Sequence, residues 1–247
     1  MTAPLFFVSA EQLAGARQGS GLMLDGPEGR HGATVKRLGV GEQVLLTDGV
    51  GHRVVAVVEG VGAGQLHLRV QAITQELQPD SRFVLIQALA KGDRDEQAIE
   101  AATEIGVDEV VPWQAARSIV IWRGERAAKS VRKWESVVLS ATKQSRRTRV
   151  PLVSAPADHV AVIHRIKGAA LALVLHEEAQ LPLAGIELPK SGDVLLIVGP
   201  EGGVAPEELS SFVAAGALSV RLGSNVLRSS SAGPAALAVL SAASRWR

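Results

Sequence analysis

Two spacings of apolar residues divide the chain. Up to about residue 78, apolar and polar positions alternate in short runs at 43–46, 53–59 and 66–72. That is the period of half-buried strands, whose successive side chains face opposite sides of a sheet. Turn signals separate the runs, first Thr47-Asp48-Gly49 and then the glycine-rich Gly60-Val61-Gly62-Ala63-Gly64. The second lies between two strands rather than between strand and helix, so it reads as a hairpin turn and not as a nucleotide loop. A polar stretch over 74–80, containing Pro79, reads as a linker. The expected division is a small β-rich domain over 1–78 and a second domain over 79–247.

Beyond Arg82, unbroken apolar runs replace the alternation, at 83–89, 107–111, 171–175, 194–198 and 218–222. Such runs mark parallel strands covered on both faces, and helical segments alternate with them, so this half is predicted to be α/β. In the first helix Asp93 and Glu96 are spaced for a capping box, Ala98, Ile99, Ala102 and Ile105 form one stripe, and Gly106 ends it. A second helix is predicted over 127–143, with Val131, Trp134, Val138 and Ala141 on one face. A third starts near Pro206, with Glu207 and Glu208 in its first turn and Gly216 past its end. The last, over 234–246, is rich in Ala and Leu.

Composition narrows the class. With 47% apolar and 21% charged residues the chain can bury a sizeable core. It has no cysteine, which excludes disulfides, thiolate zinc sites and a catalytic thiol. The six histidines are scattered without a His-x-x-x-His pair, so no metal site is expected. Residues 1–10 show neither a basic start nor a long apolar run, and no segment approaches the ~18–20 apolar residues of a membrane span. A soluble cytoplasmic protein without membrane contact is the expectation. Net charge is only +1, but residues 117–149 hold ten Lys/Arg against two acids, whereas 81–116 hold three against seven. Such asymmetry fits either a solvated helix face or a surface that meets a phosphate backbone.

Candidate chemistry sits at three strand ends. These are Leu175-His176-Glu177, Gly199-Pro200-Glu201-Gly202-Gly203, and Leu222-Gly223-Ser224-Asn225-Val226-Leu227-Arg228. In open α/β sheets ligands bind outside the carboxyl ends of the strands. Neither a Gly-x-x-x-x-Gly-Lys-Ser/Thr phosphate loop nor a Gly-x-Gly-x-x-Gly joining strand to helix is present. By itself the Gly199–Gly203 stretch is also compatible with an ordinary strand-to-helix turn.

In combination, the glycine loop and the later Leu222-Gly223-x-x-Val226-Leu227-Arg228 resemble the knotted, S-adenosylmethionine-dependent methyltransferase superfamily. There the two motifs form the cofactor loops, and the last is threaded into a trefoil knot. Further residues narrow the resemblance to the ribosomal RNA small subunit methyltransferase E family. They are Lys91-x-Asp93 with Glu96, Thr103-Glu104-Ile105-Gly106-Val107, Pro112, Arg117-Ser118, Trp134, and Gln144-Ser145-x-Arg147 followed by Val150-Pro151. In the first domain, His31, Val35-Lys36-Arg37-Leu38 and Gly41-Glu42 are similar to that family's PUA-like RNA-binding module.

The resemblance implies methylation of N3 of a uridine in small-subunit ribosomal RNA by a homodimer. It implies S-adenosylmethionine contacts from Leu175, His176, Gly199, Pro200, Gly203, Leu222, Gly223, Val226 and Leu227, mostly through backbone. Arg228 is the expected catalytic cation, with a structural ion pair as its other reading. Glu201 either orients the target and helps remove a proton or serves as a helix-N-terminal carboxylate. His176 fits a packed or backbone-bonded histidine better than a base. For RNA the candidates are Lys91, Arg117, Arg123, Arg146 and Arg147 on the second half and Arg37 on the first, mostly as phosphate contacts. One departure stands out. The family commonly reads Leu-Arg-Thr-Glu-Thr-Ala where this chain has Leu227-Arg228-Ser229-Ser230-Ser231-Ala232, so a carboxylate is missing. Competing readings are a knotted enzyme acting on transfer RNA or a ribose hydroxyl, and a non-catalytic RNA-binding relative.

Overall fold

Strand pairing builds two separate sheets, and contacts gather around each to form two units. The computed structural model describes residues 3–246, so Met1 and Thr2, the start of the segment read for a leader and of the first domain, and Arg247 lie outside the described residues. The first unit comprises the chain up to Gln78 together with Thr142–Val150; the second comprises Pro79–Ala141 and Pro151–Arg247.

In the first unit, β1 (Leu5–Phe7), α1 (Ala10–Ala14), β2 (Gly21–Leu24) and α2 (Gly26–Arg30) precede β3 (Gln43–Thr47), β4 (His52–Gly62) and β5 (Gln65–Gln75). The sheet order is β1-β3-β4-β5-β2, with only the β1–β3 pair parallel. The alternation seen in the sequence has a direct cause. Val44, Leu46, Val54, Ala56, Val58, Leu66, Leu68 and Val70 all point into one core with Phe6 and Leu24. The glycine cluster is mostly strand: β4 runs on to Gly62, leaving Ala63-Gly64 as the turn. Past α2 the backbone makes a π-helical turn (His31–Val35), and Arg37 adopts φ 53°, a left-handed conformation.

Residues 142–150, counted with the second half in the sequence division, pack into this first unit. Thr47 Oγ1 donates to the Thr148 carbonyl (3.0 Å), Arg53 donates to the Arg146 carbonyl (2.9 Å), and the Val150 amide donates to Gly49 (2.9 Å). Lys143 pairs with Glu28 at 2.5 Å. Arg146 and Arg147, expected on the second half, therefore belong to the first unit.

The second unit holds β6 (Ser81–Ala88), α3 (Arg94–Ile105), β7 (Glu109–Trp113), most of α4 (Gly124–Ser145), β8 (Leu152–Val153), α5 (His159–Gly168), β9 (Leu171–Leu175), β10 (Leu181–Pro182), β11 (Gly192–Val198), α6 (Pro206–Ala214), β12 (Leu218–Arg221) and α7 (Ser229–Ala243). Its seven strands are all parallel, in the order β10-β12-β9-β11-β6-β7-β8. Covering both faces explains the unbroken apolar runs. Val84, Ile86, Val111, Trp113, Val174, Leu195 and Ile197 pack with Val162 and Ile166 of α5 and Phe212 of α6. On the other face α3 and α7 pack together against β6 and β11. Among the described residues no helix is long and apolar enough to cross a membrane.

Two local readings need correction. Asp93 is the N-cap of α3, but its side chain makes no capping bond; the Asp95 carboxylate accepts the Glu96 amide at 3.0 Å instead, and Glu96 pairs with Lys133. The last helix begins at Ser229 rather than at Pro234, which lies inside it. Proline disrupts a helix by its missing N–H and by crowding the carbonyl four residues back. Here that carbonyl belongs to Ser230, still in the first turn, so the interruption falls where bonding is incomplete anyway.

Candidate functional site

Strand order brings the three loops together. β12, β9 and β11 are consecutive neighbours in the sheet, although long segments separate them in sequence. Being parallel, all three end on the same edge, and the residues after each meet there. One cleft of about 230 Å³ is lined by Leu175, His176, Glu177, Leu222, Gly223, Val226 and Leu227, among others. A second, of about 470 Å³, is lined by Leu175, Glu177, Val198, Gly199, Pro200, Glu201, Gly203, Val226, Leu227, Arg228 and Ser229, with Arg94. Leu175, Glu177, Val226, Leu227 and Ala232 line both. All the residues named from sequence for cofactor contact thus lie in this pair of clefts, as do Arg228 and Glu201.

The glycine loop is tightly built. A Cβ on Gly199 would lie 2.9 Å from Val204 Cγ2 and 3.0 Å from the Val204 amide nitrogen, so only glycine fits without the loop moving. Gly203 has room for a side chain but adopts φ +72°, which L-residues rarely take. Its amide donates to the Pro200 carbonyl at 2.9 Å, closing the turn. The result is a backbone surface with apolar walls from Leu175, Leu222, Val226 and Leu227. Exposed peptide groups for hydrogen bonding beside apolar surface for a flat ring suit a nucleoside-like ligand.

Glu201 is held firmly. Its Oε1 accepts from the Lys91 amide (3.0 Å) and from Arg94 Nη1 (2.9 Å). Burial pushes this carboxyl up, but the backbone amides of Glu201 and Lys91 and the Arg94 guanidinium outweigh it and hold the pKa below the ordinary value. A carboxylate so engaged is a poor proton acceptor. It does not cap a helix either: Glu208 takes that place at α6, accepting from the Ala116 and Ala205 amides at 2.8 and 3.2 Å. Arg228 is exposed and has no ion pair among the described residues, so the structural-pair reading finds no partner. The His176 amide donates to the Val220 carbonyl (2.9 Å), and its Nδ1 accepts from the Glu178 amide (3.3 Å). That makes it the backbone-bonded histidine its sequence context suggested.

The basic candidates scatter. Arg117 Nη1 donates to the Gly202 carbonyl at 2.9 Å, fixing the glycine loop, while Lys91 contributes its amide to Glu201 and leaves its side chain exposed. Arg123 is exposed just before α4. In the first unit, Arg37 is exposed, Arg147 is half-buried, and Arg146 shares the left-handed backbone of Arg37, with φ 56°. Sequence reasoning passed over Arg94, Glu177 and Ser229. Arg94 sits inside the quoted motif beginning at Lys91, Glu177 inside a quoted loop, and Ser229 in the Leu227–Ala232 stretch where the family commonly has threonine, so all three had a signal.

Residues 77–241 match the family described as the RNA methyltransferase domain, and residues 24–71 match the RNA methyltransferase PUA domain. The chain is 43% identical over 252 residues to a ribosomal RNA small subunit methyltransferase E of Mycobacterium bovis, covering 100% of this chain and 94% of that one. The Bacillus subtilis protein of the same name is 27% identical, covering 88% of each. Among solved structures, a ribosomal RNA small subunit methyltransferase E from Neisseria gonorrhoeae bound to S-adenosyl methionine superposes with TM-score 0.82 at 26% identity, covering 98% of both chains. A Legionella pneumophila protein in complex with the cofactor SAM gives 0.80 at 29% identity, again covering 98% of both.

Proposed function

The chain belongs to the ribosomal RNA small subunit methyltransferase E family, and from that premise we propose that it transfers a methyl group from S-adenosylmethionine to N3 of a uridine in small-subunit ribosomal RNA. The observation that carries this reading is the meeting of three strand-end loops in one glycine-built cleft, with an unpaired arginine at its rim. Leu175, His176, Gly199, Pro200, Gly203, Leu222, Gly223, Val226 and Leu227 would hold the cofactor, chiefly through main-chain groups. The cofactor supplies an electrophilic methyl on a sulfonium sulfur.

The chain's own residues then have limited work. Uracil must lose its N3 proton before or as the methyl is taken, so negative charge gathers on the ring oxygens. Arg228, without a carboxylate partner among the described residues, stabilises that charge and favours the deprotonated base. Holding the reactants in line supplies the remainder, which in favourable cases reaches ~7–11 kcal/mol. Glu201 acts as a positioning residue, locking the Lys91–Arg94 segment to the glycine loop, rather than as the proton acceptor. Arg37, Arg146 and Arg147 from the first unit, with Lys91, Arg117 and Arg123 from the second, steer the RNA backbone. Under the same reading the second unit is threaded as a trefoil knot and pairs with a second copy, and the protein works in the cytoplasm.

The test is methyl transfer from labelled S-adenosylmethionine to small ribosomal subunits from cells lacking the enzyme, with the product nucleoside identified by mass spectrometry. N3-methyluridine is the expected product. A ribose-methylated product, or activity only on transfer RNA, would replace the substrate assignment. Cofactor binding with no transfer to any RNA would favour a non-catalytic RNA-binding protein.

A further inference from the structure

Ser229, the first residue of α7, is only 8% exposed, lines the wider cleft beside Arg228 and Gly199, and has a buried hydroxyl without a hydrogen-bond partner among the described residues. Buried hydroxyls are normally satisfied, because leaving one unpaired forfeits its bonds to water. Ser241, farther along the same helix, is also unpaired, but it lines neither cleft. The helix is 15 residues long, its N-cap Arg228 makes no side-chain capping bond, and its first turn contains no acid. In an α-helix the first amides cannot find partners within the helix, and their dipoles give that end a partial positive charge.

The direction of α7 aims this end at the cleft. Arg245, past the helix, donates to the Ser81 carbonyl at the start of β6. A Cβ on Gly233, one turn into α7, would meet Leu85 farther along that strand at 2.9 Å and Val198 at 3.5 Å. The helix therefore runs back along β6, and its positive end lies at the carboxyl edge of the sheet. By contrast, the first turn of α6 carries Glu207 and Glu208.

We propose that the first turn of α7 is an anion-stabilising element of the cleft, in which the Ser229 hydroxyl and the Ser229 and Ser230 amides act with Arg228 on the charge developing on a ring oxygen of the target base. This rests on the methyl-transfer reading above and adds a second group to it. In the step concerned the N3 proton passes to water, the N3 electron pair forms the bond to the methyl carbon, and the carbon–sulfur pair stays on sulfur. Charge on the adjacent carbonyl oxygen is greatest as the proton leaves, which is when oriented donors act most strongly.

The experiment compares full-length wild type with Ser229→Ala and Ser229→Thr on small ribosomal subunits, measuring kcat, KM and the pH dependence of kcat, with folding and S-adenosylmethionine affinity as controls. The Ala variant is expected to lose about tenfold in kcat, the worth of one hydrogen bond of about 1.4 kcal/mol, with KM little changed, and its rate profile should move to higher pH. The Thr variant, which keeps the hydroxyl, should restore most of the rate. If the Ala variant fails to fold, Ser229→Cys, close in volume with a weaker donor, should show the same kcat loss. A raised KM at unchanged kcat would place an RNA phosphate at this turn and overturn the proposal; unchanged kinetics, or a Thr variant as slow as Ala, would do so too. Wild type that makes no N3-methyluridine would instead remove the underlying reading.

Discussion

Gly199→Ala is the sharpest perturbation of the cleft. The added methyl carbon would sit 2.9 Å from Val204 Cγ2, 3.0 Å from the Val204 nitrogen and 3.2 Å from the Gly203 carbonyl carbon. Two of these atoms are backbone, and the third belongs to a β-branched side chain with little rotamer freedom, so the loop itself must move. Overpacking of this kind costs about 1–3 kcal/mol. A loop that recovers part of the strain by opening does so at the expense of its ligand geometry. The expected result is S-adenosylmethionine affinity about ten- to a hundredfold weaker by calorimetry, since each ~1.4 kcal/mol is a factor of ten. Gly203→Ala is the internal control: its Cβ would meet nothing nearer than 3.9 Å, leaving only the φ +72° backbone cost of about 1–2 kcal/mol. All four tryptophans, Trp113, Trp122, Trp134 and Trp246, belong to the second unit, so their fluorescence in urea follows that unit's stability separately. Gly199→Ala that binds the cofactor with normal affinity, or better than Gly203→Ala, would refute the assignment of this loop.

Three other measurements follow from the structure. Burial pushes the Asp95 carboxyl up to about 6 from 3.8, against the Glu96 and Ala90 amides that lower it. With the folded value above the unfolded one, the stability present at pH 4 is lost as pH rises through about 6, a cost on the order of 3 kcal/mol at pH 8. Asp95→Asn should therefore raise urea resistance at pH 8 and change it little at pH 4, and equal effects at both would contradict this. Arg245 donates to the Gly106 and Ser81 carbonyls and to Asp108 at 2.5–2.7 Å and lies 4.0 Å from the Phe83 ring centroid. Arg245→Ala should destabilise the second unit by about 2–3 kcal/mol in the same fluorescence assay, and a loss under half of that would mean solvent already screens the cluster. Finally, RNA affinity should fall steeply with salt, and Arg123→Ala should flatten the log–log slope by about one; a flat response in wild type would remove the basic-surface assignment.

The sequence was most informative where one rule acted alone. The parallel core strands were visible as apolar runs, and 171–175 coincides with β9, because burial on both faces leaves no polar position in the pattern. Elsewhere signals competed. Helix α5 was passed over because Val160, Val162, Ile163 and Ile166 suit a strand as well as a helix. Its one clear marker was Asp158, which accepts the Ala161 amide as N-cap. Pro234 reads as a helix start because proline favours first turns, although the helix begins at Ser229.

The loops themselves were legible as glycine-bearing strand ends, and with the family resemblance they identified the cleft residues by number. Sequence could not reveal that they meet, because that depends on β12, β9 and β11 being neighbours, an order set by long-range packing. Nor could it distinguish Glu201, tied down by a distant amide and guanidinium, from Arg228, left unpaired. It also gave no sign that 142–150 folds with the first unit. Local composition fixes which backbone a segment adopts and which face it buries. Partnerships between residues a hundred positions apart exist only once the sheet has chosen its order.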